Sequence, residues 1–257
     1  RKIFFTLSIM ALFRFGSVIP TPGVSYTAVQ RCLANVDTGG LLGLVNLFSG
    51  GALLQLSVFA LGIMPYITAS IIVQLLTVVI PRFDALKKEG QSGTAKLTQY
   101  TRYLTVGLAV LQTSGLLAVA RTPGRLIQGC TEEIIPDTSW LRILTMIFVM
   151  TAGTAVIMWL GELITDRGVG NGMSILIFTS IAATFPSQLW SIRLSRGWGT
   201  FIFIMAVGVL IVAAVVFVEQ SQRRIPVQYA KRMIGRKEYG GTTTYIPIKV
   251  NQSGVIP

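Results

Sequence analysis

The chain has 257 residues, 52% of them hydrophobic and only 12% charged, where an average soluble domain carries about 25% charged residues. It holds 22 Lys and Arg against 10 Asp and Glu, a net charge of +12, and it has no histidine. That excludes a Ser-His-Asp triad, a Cys-His pair and the commonest zinc ligand, and it points to a polytopic membrane protein.

The first candidate span is 3–20. Its Arg1-Lys2 start and apolar centre fit a secretory signal. Arg14 breaks the apolar region, however, and Pro20-Thr21-Pro22-Gly23 is not a small-residue cleavage site, so the segment reads as a retained span. Arg14 is the one charge well inside a span. It is either functional or a residue snorkelling toward the outer interface.

Between Asp37 and Arg82 lie 44 residues without a charged side chain, interrupted by Gly50-Gly51. As one helix this stretch would reach roughly 66 Å, against a hydrocarbon core of about 30 Å. Two spans would need a polar turn, which is absent. The arithmetic predicts a short apolar piece over 41–49 folded back beside a full span over 53–80. Such a piece is tolerated at membrane depth only where it is buried in protein or lines a cavity.

Four further charge-free windows can cross a membrane, giving six spans: 3–20, 53–78, 103–120, 143–161, 173–191 and 199–218. Between them, 81–99 is a polar turn broken by Gly90 and Gly93. The turn 166–172 delivers Asn171 or Ser174 as an N-cap to the fifth span. The segment 219–250 is long and basic. Its 228–234 part reads as a short helix and Gly240-Gly241-Thr-Thr-Thr-Tyr as strand beside a glycine turn, together a hairpin-like arm. Residues 250–257 turn apolar again, as if a seventh span were starting, so the chain reads as a fragment.

Alternating these spans places 15 Lys/Arg on one side and 6 on the other, which puts the N-terminus in the cytoplasm. Cys32 and Cys130 both fall in external loops. Two free thiols is the simpler reading, and a disulfide is the alternative in an oxidising compartment. Glu162 and Glu219, at cytoplasmic helix ends, read as interfacial. There is no phosphate-binding G-x-x-x-x-G-K-[ST], and Gly168-Val-Gly-Asn-Gly172 follows a membrane span where a dinucleotide loop would follow a strand. No two carboxylates lie inside the spans, so a proton relay or ion-coupling site is unsupported. No enzyme activity and no cofactor are expected.

Four segments stand out, Asn46-Leu-Phe-Ser-Gly-Gly-Ala52, Phe59-Ala-Leu-Gly-Ile-Met-Pro-Tyr-Ile67, Trp159-Leu-Gly-Glu162 and Arg167-Gly-Val-Gly-Asn-Gly-Met-Ser174. With Lys87-Lys-Glu-Gly-Gln-Ser-Gly93, Gln222-Arg-Arg-Ile-Pro-Val-Gln228 and the terminal Lys249-Val-Asn-Gln-Ser-Gly-Val-Ile-Pro257, they resemble the SecY family, the channel subunits of the Sec protein translocon. The resemblance implies an all-α polytopic channel of the bacterial plasma membrane, built of ten spans in two inverted halves. This chain would supply the first half over 1–192 and the start of the second over 193–257, with a re-entrant plug near 41–52 and a cytoplasmic basic loop over 219–250. The function implied is passage of unfolded secretory polypeptides and lateral release of membrane segments into lipid. The rival from the residues themselves is half of a secondary transporter.

Position by position, the resemblance places Leu41, Leu44, Asn46, Phe48, Ser49 and Gly50 in the plug. Ile63, Ile67 and Ile177 match the aliphatic pore ring, whose simpler reading is core packing. Thr68 and Gln74 match polar residues of the lateral gate, although a Thr bonded to its own backbone is also ordinary. Arg223, Arg224, Lys231, Arg232, Arg236 and Lys237 match the loop that docks the SecA motor or the ribosome, through its RNA and proteins. Attraction to anionic lipid is the alternative for that loop. SecE and SecG subunits, signal peptides and nascent chains complete the implied partners.

Overall fold

The computed structural model describes residues 1–34, 49–122, 134–228, 232–234, 237–239 and 243–249, and the chain divides into two compact units, Arg1–Ser187 and Gln188–Ile256. Helices α1 (Lys2–Val18), α2 (Tyr26–Ala34), α3 (Met64–Val79), α4 (Pro81–Lys88), α5 (Gln91–Ala120) and α6 (Trp140–Arg167) precede two long apolar segments, α7 (Gly172–Trp190) and α8 (Ile192–Gln220). Helices α5 to α8 are each long and apolar enough to cross a membrane. The pair α3 and α4, bent by 100°, makes a fifth candidate. α1, with 17 residues, stands at the lower limit of span length. The bend has a local cause: Ile80 is extended (φ −102°, ψ 115°), as a residue before proline prefers, and Pro81 opens α4 where its missing N–H is not needed.

The second span departs from expectation. A continuous helix from residue 53 is not formed; residues 49–63 are a run of turns and helix begins only at Met64. Gly50, Gly51 and Gly62 adopt left-handed φ of 66°, 90° and 56°, and Leu56 does so at 47°. A run of right-handed helix cannot contain such residues. The backbone is satisfied in another way. Leu56, Ala60 and Gly62 donate their N–H groups to Leu53, Ser57 and Phe59 carbonyls, three residues back. Thr21 donates both its N–H (3.1 Å) and its hydroxyl (2.7 Å) to the Leu56 carbonyl, and Val58 N–H reaches the Ile19 carbonyl at 2.9 Å.

Around this segment the helices close. The inward stripe of α6, from Ile143 and Met146 to Leu160 and Ile164, recurs at three- and four-residue intervals. Its first half packs with Leu53, Leu54 and Leu56, and its second half with Phe59 and Ile63. A Cβ on Gly153 would stand 2.2 Å from the Val58 carbonyl oxygen, so the turn segment lies against the bare backbone of α6. α5 buries Thr101, Thr105, Ala109, Thr113 and Leu117 at every fourth position, a face of mostly small residues that lets neighbouring helices approach. The N-cap of α7 is Asn171, whose Oδ1 accepts from the Met173 and Ser174 N–H groups at 3.0 and 3.4 Å, as the turn chemistry predicts.

Cys32, buried on α2, is disulfide-bonded, which overturns the reading of two free thiols; the other cysteine of the sequence, Cys130, lies outside the described residues.

In the second unit the basic arm is an antiparallel ribbon. Strand β1 (Gln222–Gln228) pairs with β4 (Thr243–Lys249), bringing Gln222 opposite Lys249 and Gln228 opposite Thr243. Between them β2 (Arg232–Ile234) pairs with β3 (Lys237–Tyr239). The expected short helix over 228–234 is therefore corrected: Gln228 ends one strand, and Arg232 to Ile234 take ladder partners on another. Gly197, with φ 77° and ψ 179°, breaks the helical geometry near the start of α8.

The tight contact at Gly153 can be tested. In the full-length protein Gly153→Ala should cost about 1–3 kcal/mol by overpacking, read as a lower unfolding midpoint in detergent. An unchanged midpoint would mean that Val58 does not rest on α6.

Candidate pore and docking sites

The turn segment begins at the two plug positions that are described. Ser49 is buried, and its hydroxyl accepts the Leu53 N–H at 3.1 Å. Gly50 offers its carbonyl to Arg14, whose Nη1 donates at 2.7 Å from the half-buried side chain on α1. Leu41, Leu44, Asn46 and Phe48 lie outside the described residues.

The three isoleucines assigned to a pore ring all adjoin one apolar cluster. Ile63 is buried within an apolar cluster that also holds Ile9, Phe13, Phe59 and Leu176, and Ile67 and Ile177 pack against it half-buried. They come from the last turn of the irregular segment, from α3 and from α7. Phe59 stacks on Phe13 with ring centroids 6.0 Å apart, and it can lie flat on α1 because Gly16 has no side chain; a Cβ there would meet the ring at 2.2 Å. Branched aliphatic side chains of this kind pack against one another and offer no hydrogen bonds.

The gate residues are not brought together. Thr68 donates its hydroxyl to the Met64 carbonyl of its own helix at 3.0 Å, and Gln74 is exposed. Six residues apart on α3, they point about 120° away from each other at 3.6 residues per turn.

On the arm, Arg223 and Arg224 are exposed on β1, opposite Ile248 and Pro247. Successive strand residues face opposite sides, so the two guanidinium groups serve both faces of the ribbon. Arg232 stands opposite Tyr239 and Lys237 opposite Ile234 on the shorter ribbon, whereas Lys231 and Arg236 lie outside the described residues.

One feature escaped the reading of residues one by one. Arg102 on α5 makes a two-pronged pair with Glu162 on α6, Nε to Oε1 and Nη2 to Oε2, both at 2.8 Å. Glu162, near the end of α6, is therefore also a cross-helix partner. The signal was available, since opposite charges stood at the same predicted end of two successive antiparallel spans. The pair borders a cleft of about 320 Å³ that Tyr66, Thr98, Thr165 and Asn171 also line. Among the described residues, no group of three or more Cys, Asp or Glu side chains is placed to hold a metal.

Comparison with known proteins accords with this architecture. The chain is 67% identical over 264 residues to the protein translocase subunit SecY of Streptomyces scabiei, covering all of this chain and 60% of that protein. It is 58% identical over 260 residues to the SecY subunit of Mycobacterium tuberculosis strain H37Rv, of which it covers 59%. It thus spans about 60% of the length of the curated relatives it matches. Among solved structures, one described as a protein conducting channel superposes with a TM-score of 0.59 at 17% identity, over 96% of this chain and 52% of that one. Sec61 in the canine ribosome–channel complex follows at 0.57 and 16%, over 93% and 53%. At those identities the likeness shows the fold. The SecY family model matches residues 57–257, and with its several apolar spans this chain is a multi-pass membrane protein that belongs to the SecY family.

Proposed function

We propose that this chain is the first half and the start of the second half of a protein-conducting channel subunit, with the division near residue 192. In this reading it sits in the bacterial plasma membrane with its N-terminus in the cytoplasm, passes unfolded secretory polypeptides and releases membrane segments sideways into lipid. The observation that carries it is the irregular segment 49–63, buried among spans and ending at the isoleucine cluster. A buried non-helical stretch is tolerated at membrane depth where protein surrounds it or it lines a cavity, and a closed pore supplies both. Residues 41–50 are then the plug, Ile63, Ile67 and Ile177 the ring beneath it, and Thr68 and Gln74 two polar points on one wall of a lateral gate. The secondary-transporter reading is not favoured, because the spans hold no paired carboxylates for ion coupling.

The arm is the docking element in this account. Arg223, Arg224, Lys231, Arg232, Arg236 and Lys237 meet the SecA motor or ribosomal RNA and proteins, and anionic lipid lies beneath them. SecE and SecG flank the channel, and signal peptides open it. The energy for transport comes from the motor or the ribosome, and the chain itself catalyses no reaction.

Two outcomes test this. In the full-length channel, deletion of residues 41–49 makes the resting pore leak ions in planar bilayers; an unchanged conductance removes the plug assignment. Charge reversal at Arg223 and Arg224 weakens binding of SecA or ribosomes and flattens its salt dependence, since fewer charged contacts remain to be screened. Unaltered binding returns those residues to a lipid-facing role.

A further inference from the structure

Arg14 is the charge well inside α1, and the docking and pore assignments leave it unused. A guanidinium charge inside a span needs a partner. Among the described residues no carboxylate pairs with it. Its Nη1 donates instead to the Gly50 carbonyl, 36 residues along the chain, at 2.7 Å.

Gly50 is held on two sides. A Cβ built there would stand 2.8 Å from Arg14 Nη1 on the α1 side, and 3.2 and 3.3 Å from the Ser180 carbonyl oxygen and Cα on the α7 side. Ser180 is itself fully buried, its hydroxyl bonded back to the Leu176 carbonyl at 3.1 Å. With φ at 66°, the position also favours glycine by backbone conformation. Ser49 beside it is buried, and its hydroxyl accepts the Leu53 N–H. The first residues of the turn segment are therefore wedged between α1 and α7, and the arginine supplies a charged donor to the carbonyl at that point.

We propose that Arg14 is a latch: its bond to the Gly50 carbonyl holds the start of the turn segment in its resting place, and breaking that bond is a step in opening the pore. This deepens the channel reading above and rests on it. A hydrogen bond from a charged donor shifts an equilibrium by about 10- to 100-fold when lost, enough to change how often a resting pore opens. The latch also gives α1 a part in gating, since any movement of α1 relative to α7 pulls on this contact.

The test uses the full-length channel in planar bilayers without signal peptide, reading ion leak beside the deletion of 41–49. Arg14→Met, which keeps bulk and removes the donor, raises resting open probability about tenfold or more. Arg14→Lys, which keeps a donor, stays nearer the parent. Gly50→Ala, which drives a methyl into the latch, leaks like Arg14→Met and covers the case in which that variant fails to assemble. The double variant leaks no more than the worse single one, because both break the same contact. If the deletion leaks while Arg14→Met and Gly50→Ala do not, the latch is wrong and the channel reading stands. Multiplicative effects in the double variant would likewise overturn the latch. If neither the deletion nor the point variants leak, both readings fall.

Discussion

Every backbone N–H and C=O at membrane depth must find a partner inside the protein, and the fold turns on how residues 49–63 meet that demand. A helix would have met it internally. Here four left-handed residues forbid one, so turn bonds and bonds borrowed from the chain after α1 take its place. The Leu56 carbonyl takes two donors from Thr21, and Val58 bonds to Ile19. Burial follows from this, because a segment so bonded is stable only with α1 on one flank and the glycine face of α6 on another. Two apolar clusters form along it, and the isoleucines of the proposed ring belong to the second.

The glycines set the distances. Gly153 admits the Val58 carbonyl to the surface of α6, and Gly16 admits the Phe59 ring to α1. Near the Arg102–Glu162 pair, Gly161 and Gly172 bring the end of α6 against the start of α7; a Cβ on Gly172 would stand 1.8 Å from the Gly161 carbonyl oxygen. Close packing without long interdigitating side chains is how helices associate where lipid offers no hydrophobic drive between them. α8 is different: its apolar window is wholly unburied.

Much of this was legible in the residues, for reasons that can be stated. The spans are long runs free of charge, and their length against the bilayer decides their number. The charge gap from Asp37 to Arg82 announced a segment that could not be one helix or two. Asn171 was readable as an N-cap because its side chain competes for the first N–H groups of α7. The start of α3 was not readable. Leu56 at positive φ leaves no mark in composition, so the apolar run 53–63 passes for helix. The Arg14–Gly50 bond joins residues 36 apart and was hidden for the same reason, although the charge itself was conspicuous. Thr68 and Gln74 matched motif positions, yet helix geometry turns them to different faces. In the arm, a local propensity for helix over 228–234 gave way to cross-strand pairing.

The central claim is that 49–63 is a buried non-helical segment packed between spans. Solid-state NMR of the full-length protein in bilayers, with carbon-13 shifts assigned for residues 52–64, tests it most directly. The account predicts non-helical shifts through Leu56 and Gly62, with helical values starting at Met64. Uniform helical shifts from Leu53 onward would contradict it.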